Sequence, residues 1–148
     1  NPIIDHKLEE FVEEIPETLG PTITQTLKRE IKNSQEYITK KYGVDNNHID
    51  FVFHGGSGST LEEIREAIGY GVIKMNIDTD MQYAFMSGIR DYMGEKADYL
   101  KPQIGSPDGP DSPNKKHYDP RVWLREGEKT FIARLKKAFE DLNNVNTL

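Results

Sequence analysis

A histidine followed directly by a glycine-rich turn is the first feature of this sequence that could do chemistry. The run is His54-Gly55-Gly56-Ser57-Gly58-Ser59. A histidine at a strand end can ligate a metal or act as a base, and glycines let backbone N–H groups approach an anion such as phosphate. Taken alone, the run fits a tight turn with a structural histidine better, and no Gly-Lys-Ser/Thr follows as in a Walker loop.

A second polar segment follows a later apolar run and consists of Asn76, Ile77, Asp78 and Thr79. Alternation along a strand places Asn76 and Asp78 on one side, where an amide and a carboxylate can grip carbonyl or hydroxyl groups. Thr79 and its N–H can hold a phosphate oxygen. The alternative is that Asp78 and Thr79 cap the next helix, and capping can coexist with ligand binding.

A basic cluster stands out in an otherwise acidic chain. It consists of Lys115, Lys116, Arg121 and Arg125. Such runs are usually solvated surface. The functional alternative is anion capture by Arg121, whose guanidinium can fork onto phosphate from the start of a helix.

The elements that would position these residues follow a βαβα order. We predict strands at residues 51–54 and 72–77, joined by a helix over residues 61–68 with Thr60 as its N-cap. A helix over residues 81–94 comes next. This order predicts that the two strands are adjacent and parallel, and ligands meet parallel strands at their carboxyl ends. We therefore predict that His54 faces the segment from Asn76 to Thr79, and that the N–H groups of Gly55 to Ser57 turn toward the same space.

The flanking segments are predicted from the spacing of apolar residues and from the prolines and glycines that interrupt helices. Apolar spacing predicts helices over residues 5–15 and 26–42, and residues 101–118, with four prolines, are predicted to be a long loop. Asp119-Pro120 is predicted to open a last helix. Its predicted apolar face comprises Val122, Trp123, Ile132, Leu135, Ala138, Phe139 and Leu142.

Composition limits the partners. The chain has 148 residues, a net charge of -6 and no cysteine, so nucleic acid is an unfavourable partner and thiol chemistry is excluded. No apolar run approaches the roughly 18 residues of a membrane span. The first residues lack the basic and apolar regions of a signal peptide, and we expect a cytoplasmic protein.

Three blocks in this order resemble the class II fructose-bisphosphate aldolases of the bacterial and fungal type. The resemblance covers residues 27–148, whereas residues 1–26 form an unmatched, predicted helical segment. The blocks are Phe51-Val52-Phe53-His54-Gly55-Gly56-Ser57-Gly58-Ser59-Thr60, Gly71-Val72-Ile73-Lys74-Met75-Asn76-Ile77-Asp78-Thr79-Asp80, and Pro113-Asn114-Lys115-Lys116 running into Tyr118-Asp119-Pro120-Arg121-Val122-Trp123-Leu124-Arg125.

The resemblance implies an α/β fold of the (β/α)8 TIM barrel family, of which this chain would supply the last two βα units and the C-terminal helices. It implies that His54 ligates the catalytic Zn2+, and that Gly55, Gly56 and Ser57 bind the phosphate of dihydroxyacetone phosphate. Asn76, Ile77, Asp78 and Thr79 would contact the same substrate. Arg121 would reach a phosphate in the neighbouring subunit of a homodimer. A monovalent cation, K+ or Na+, would activate the enzyme.

The implied activity is that of a carbon–carbon lyase: the reversible cleavage of fructose 1,6-bisphosphate to dihydroxyacetone phosphate and glyceraldehyde 3-phosphate. A related tagatose-type aldolase and a non-catalytic phosphate-binding fragment are the alternatives. One histidine does not make a zinc site, which needs about three protein ligands. The acid/base carboxylate and the earlier strands of the family are not among the matched blocks, so we expect the chain to be inactive alone.

Overall fold

The computed structural model describes residues 25–147, with side chains from residue 29 onward, so the predicted helix over residues 5–15 lies outside the described residues. The elements, in chain order, are α1 (Gln25–Tyr42), β1 (Phe51–Phe53), α2 (Leu61–Gly69), β2 (Val72–Met75), α3 (Thr79–Glu95), α4 (Ala97–Leu100), β3 (Ile104–Ser106), β4 (Gly109–Pro113), α5 (Lys115–Tyr118) and α6 (Pro120–Asp141).

Strands β1 and β2 form a parallel pair joined by α2, as the sequence predicts. Phe51 lies opposite Val72 and Phe53 opposite Met75, with one irregularity in the register after Phe51. Both strands are shorter than predicted, and β2 ends at Met75 rather than at residue 77. Asn76 and Asp78 therefore follow the strand, and strand alternation does not set their directions.

The start of α2 is fixed by a capping box, which explains why the chain leaves β1 into a helix at this point. The Thr60 hydroxyl accepts from the Glu63 N–H at 3.2 Å, and the Glu63 carboxylate accepts from the Thr60 N–H at 2.9 Å. These two bonds satisfy N–H groups that the first turn of a helix leaves without partners. The predicted N-cap is confirmed.

The core lies between the strand pair and helices α1 and α2. Its buried members are Ile31, Ala67 and Val72, and Phe51, Phe53, Tyr70 and Met75 pack against them. Val52 and Ile73 of the same two strands are exposed. Only one face of this small sheet is therefore covered within the described residues.

Helices α3 and α6 form a second layer and cross where both carry a glycine. A Cβ at Gly88 would collide with the Glu126 carbonyl and lie 2.5 Å from the Thr130 hydroxyl oxygen. At Gly127 it would lie 3.0 Å from Phe85. The Thr130 hydroxyl donates to the Ala84 carbonyl at 2.6 Å, across the same crossing. The backbones approach this closely because no side chain separates them.

The predicted long loop over residues 101–118 is wrong, because this segment contains an antiparallel hairpin of β3 and β4 and the short helix α5. Gly105 and Gly109 adopt positive φ angles of 88° and 142°, which permit the tight geometry. Asn114 is 1% exposed and donates to the carbonyls of Pro102 and Gly105, both at 2.9 Å. Hydrogen bonds from this buried side-chain amide organise a segment that has no apolar periodicity.

The last helix begins with Asp119 at the N-cap and Pro120 in the first turn, as predicted. Ala138 of its predicted apolar face is buried, but Ile132 and Phe139 are exposed. Of the helices in residues 25–147, none combines the length and the apolar character needed to cross a lipid bilayer.

Candidate active site

The carboxyl ends of β1 and β2 bring together the two segments that the sequence singles out. Nδ1 of His54 lies 2.8 Å from the amide nitrogen Nδ2 of Asn76, so the amide donates to the ring. His54 is exposed, and its other ring nitrogen has no hydrogen-bond partner among the described residues. The prediction that His54 faces the segment beginning at Asn76 is confirmed.

The glycine turn is held against the end of β2 by its backbone. The Gly56 N–H donates to the Asn76 carbonyl at 2.9 Å, and the Asn76 N–H donates to the Phe53 carbonyl at 2.9 Å. Gly56 is buried, and a Cβ there would lie 2.6 Å from the sulfur of Met75. Gly55 adopts φ +76°. Both positions therefore favour glycine, one for lack of space and the other for its backbone angle.

The expectation that every N–H from Gly55 to Ser57 turns toward a ligand needs correction. The Gly56 N–H is used inside the chain, because the turn must be anchored to β2. The N–H groups of Gly55 and Ser57 have no acceptor among residues 25–147. Two backbone donors therefore remain for an anion beside the start of α2, where the helix dipole also favours negative charge.

The side chain of Ser57 connects the turn to the first turn of α3. Its hydroxyl oxygen accepts from the Asp80 N–H at 3.2 Å. The Asp80 carboxylate in turn accepts from the guanidinium of Arg134 on α6 at 2.7 Å. The glycine turn, the start of α3 and the C-terminal helix are thus joined by consecutive polar contacts.

The other predicted substrate contacts after β2 lie at the start of α3. Ile77 is half-buried, and Asp78 and Thr79 are exposed at the start of α3. Asp78 occupies the N-cap position, but its side chain accepts from the Gln82 amide at 2.8 Å and makes no bond to the helix backbone. Capping by the Asp78 side chain is therefore wrong, and its second carboxylate oxygen has no described partner.

Arg121 is not joined to this cluster by any described contact. Its guanidinium binds the Asp119 carboxylate through Nε at 3.0 Å and Nη2 at 2.6 Å, and its side chain is 86% exposed. Hydrogen bonds from the Arg121 side chain and backbone N–H lower the pKa of Asp119 to about 2. The pairing holds the guanidinium at the start of α6, where it faces solvent.

The described residues do not form a complete metal site by themselves. Residues 25–147 contain no group of three or more histidine, cysteine, aspartate or glutamate side chains arranged to hold a metal ion. The exposed ring of His54 fits the role of one ligand, and Zn2+ needs about three from protein. A complete set of ligands would therefore need at least one from outside the described residues.

Two residues that organise the site have no role in the sequence-based interpretation. The sequence patterns give Asp80 no role beyond its place in a family block, and they give Arg134 none. Arg134 does carry a signal: it lies three residues after Phe131 and four before Ala138, on the apolar side of α6. A charged residue at such a position implies a specific partner, because burying an unpaired charge is costly.

Comparison with protein families agrees with this geometry. The family model described as fructose-bisphosphate aldolase class-II matches residues 17–147. The chain belongs to the class II fructose-bisphosphate aldolase family. This match begins before residue 27, where the sequence blocks begin, and the division of the chain at residue 26 stays a prediction.

Curated members of the class II aldolase family are similar over most of this chain. The class 2 fructose-bisphosphate aldolase of Escherichia coli K12 is 53% identical over 130 residues, which is 88% of this chain and 34% of that relative. The fructose-bisphosphate aldolase of Aspergillus oryzae is 56% identical over 80% of this chain and 33% of its own length. The chain therefore spans about one third of these relatives.

A solved aldolase structure confirms the fold. The crystal structure of fructose-bisphosphate aldolase from Campylobacter jejuni superposes with a TM-score of 0.78 at 55% identity, covering 82% of this chain and 36% of that protein. The predicted fold class, part of a TIM barrel with two parallel βα units, is confirmed.

Proposed function

We propose that this chain is the C-terminal part of a fructose-bisphosphate aldolase, which reversibly cleaves fructose 1,6-bisphosphate to dihydroxyacetone phosphate and glyceraldehyde 3-phosphate. The observation that supports this most is the convergence of His54, Asn76 and the glycine turn at one end of a parallel strand pair. This is the end at which α/β folds bind ligands, and family membership supports the proposed reaction.

The residues of the chain would act mainly by binding and orienting the three-carbon ketone phosphate. The N–H groups of Gly55 and Ser57, at the start of α2, would donate to the phosphate. Asn76 orients the ring of His54, and the amide atom that does not face the ring would bond a substrate hydroxyl. Thr79 would add a hydroxyl and its backbone N–H. Fixed donors of this kind cost no reorganisation when the substrate reacts.

Zn2+ would be bound by His54 together with ligands from outside the described residues. When bound, it would supply Lewis-acid polarisation of the ketone oxygen and stabilise the enediolate charge. In the described orientation Nδ1 accepts from the Asn76 amide, which places the ring proton of a neutral imidazole on Nε2. Ligation of Zn2+ by Nε2 would require the Asn76 amide to turn, so that its oxygen accepts from a protonated Nδ1.

The assembly of the whole enzyme is also a proposal. In a homodimer, Arg121, which is exposed and held by Asp119, would reach a phosphate bound by the neighbouring subunit. We also propose activation by K+ or Na+ and a cytoplasmic location, for which family membership is the support.

A non-catalytic phosphate-binding fragment is the second candidate, and one observation favours it. The described residues hold no group of three or more potential metal ligands. Under this alternative the glycine turn would still bind phosphate, but no carbon–carbon bond would be cleaved.

A coupled aldolase assay separates the candidates. The purified chain is assayed with zinc and potassium, alone and together with a polypeptide carrying the part of the E. coli relative that this chain does not match. We expect no turnover alone and chelator-sensitive turnover in the mixture. His54→Ala should abolish it, and the same assay with tagatose 1,6-bisphosphate tests the other ketose. Turnover by the chain alone would contradict the expectation that it lacks a complete zinc site. If the two polypeptides associate but show no turnover, the phosphate-binding fragment is favoured.

A further inference from the structure

The glycine turn of the candidate site is attached to the rest of the fold on two sides. On one side, Gly56 is bonded to Asn76 through the backbone at 2.9 Å. On the other, the Ser57 hydroxyl accepts from the Asp80 N–H at 3.2 Å. The second attachment is formed by a side chain and is therefore only as rigid as the backbone that donates to it.

That backbone is held by a residue far along the chain. The Asp80 carboxylate receives a hydrogen bond from Nη2 of Arg134 at 2.7 Å, and the two residues are 54 positions apart. Their side chains are 30% and 27% exposed, so water screens this pair less than the exposed pairs elsewhere on the chain. Nη1 of Arg134 is buried with no hydrogen-bond partner among residues 25–147, so the Asp80 pair is its described polar anchor.

We infer that Arg134 is a positioning residue for the phosphate-binding turn: by fixing Asp80, it holds the Asp80 N–H on the Ser57 hydroxyl and so sets the direction of the free N–H of Ser57. The inference rests on the proposed phosphate role of this turn. Arg134 lies on α6, so the C-terminal helix would control how well the turn binds an anion without touching that anion.

The consequence of removing Arg134 follows from these contacts. Without its partner, the Asp80 carboxylate can turn toward solvent, and the first turn of α3 loses its connection to α6. The Asp80 N–H then exchanges more readily with solvent, and the Ser57 hydroxyl becomes free to rotate. The turn keeps its Gly56 anchor, so the fold around β1 and β2 is retained.

The experiment uses the 148-residue chain labelled with 15N and titrated with inorganic phosphate and with dihydroxyacetone phosphate. The variants are Arg134→Met, which removes the charge, Arg134→Lys, which keeps it, and Asp80→Asn. Lys136→Met is the matched control, because Lys136 lies exposed on the same helix. Thermal unfolding of each variant establishes that it is folded.

We expect saturable shifts of the Gly55 and Ser57 amide signals in the wild type. In Arg134→Met and Asp80→Asn, the Kd for dihydroxyacetone phosphate should rise on the order of tenfold. This is the effect of losing one charge-assisted hydrogen bond, here the bond from the Ser57 N–H to the phosphate. The Asp80 amide should exchange about tenfold faster, as expected when a local opening becomes easier. Arg134→Lys should recover part of both effects, and Lys136→Met should match the wild type.

Two results would overturn the inference in distinguishable ways. A wild type that shows no phosphate-dependent shift at Gly55 or Ser57 overturns the phosphate role of the turn, and the positioning role with it. Normal binding by a folded Arg134→Met variant, with unchanged exchange of the Asp80 amide, leaves the phosphate role intact and overturns the role of Arg134.

Discussion

Asn76 joins the two loops of the candidate site through both its side chain and its backbone. Its amide bonds the His54 ring, its carbonyl accepts from Gly56, and its N–H donates to Phe53. One residue therefore sets the ring orientation of the proposed metal ligand and the position of the phosphate-binding turn. This explains why an amide side chain follows β2 directly.

Gln35 provides the clearest test of a buried polar contact outside the site. It is 4% exposed, donates to the carbonyls of Ile49 at 2.6 Å and Tyr70 at 3.1 Å, and accepts from the Ile49 N–H. Gln35→Ala should lower the free energy of unfolding by about 2 kcal/mol, because backbone groups are left unpaired in a desolvated place. Urea unfolding measures this. Asn33→Ala, exposed on the same helix, is the control, and an equal effect of both would contradict the prediction.

The ion pair at the start of α6 predicts a pH dependence with a definite sign. The pKa of Asp119 is lowered to about 2 by Arg121, so its stabilising contribution is present above the unfolded-state pKa near 3.9 and is lost as pH falls toward 2. Asp119→Asn keeps a good N-cap residue but loses the charge. We expect the Tm difference between wild type and variant to be largest above about pH 4 and to shrink toward pH 2. A difference that does not change over this range would contradict the assignment.

The crossing of α3 and α6 depends on two glycines, and substitution there tests the packing of whole helices. A Cβ at Gly88 meets the Glu126 carbonyl and Thr130, whereas one at Gly94 of the same helix has nothing within 4 Å. Gly88→Ala should destabilise the fold by about 1–3 kcal/mol, because the helices must separate.

Gly94→Ala is the matched control for this prediction. Alanine favours a helix over glycine by up to about 1 kcal/mol, so this variant should be equally or more stable than the wild type. Denaturant unfolding of both variants gives the comparison. Gly88→Ala with wild-type stability would mean that the two helices do not cross this closely in solution.

The same helix pair leaves apolar surface uncovered. An open groove of about 730 Å3 is lined mainly by apolar side chains of α3 and α6, among them Met81, Phe85, Phe131 and Leu135. Val52 and Ile73 are exposed on the strand pair. Within residues 25–147 no element covers these surfaces, which agrees with a chain that spans 36% of the Campylobacter jejuni aldolase.

We predict that the 148-residue chain, by itself, does not bind zinc at one ion per chain. His54 is one ligand, and about three are required. After dialysis against micromolar zinc, metal analysis should show well under one ion per chain, with no dependence on His54→Ala. The mixture with the unmatched part of the E. coli relative should hold about one ion per chain, and His54→Ala should reduce it. Stoichiometric, His54-dependent zinc in the chain alone would contradict this prediction.

Local patterns in the sequence predicted much of the βαβ unit and its site. The alternation of apolar runs with glycine turns predicted the parallel pair of β1 and β2, and Thr60 as N-cap predicted the start of α2. His54 and Asn76 were predicted to face each other, because the carboxyl ends of parallel neighbours share one edge. These features depend on residues that are near in sequence or on a single rule of topology.

Tertiary contacts alone decided the rest. The hairpin of β3 and β4 lacks apolar alternation and is organised by the buried amide of Asn114. The pair of Arg134 with Asp80 joins positions 54 residues apart, and no short-range pattern specifies which carboxylate a distant arginine meets. The close crossing at Gly88 and Gly127 likewise arises only when both helices are packed. Periodicity determines which face of an element is apolar, whereas the choice of partner depends on the three-dimensional path of the chain.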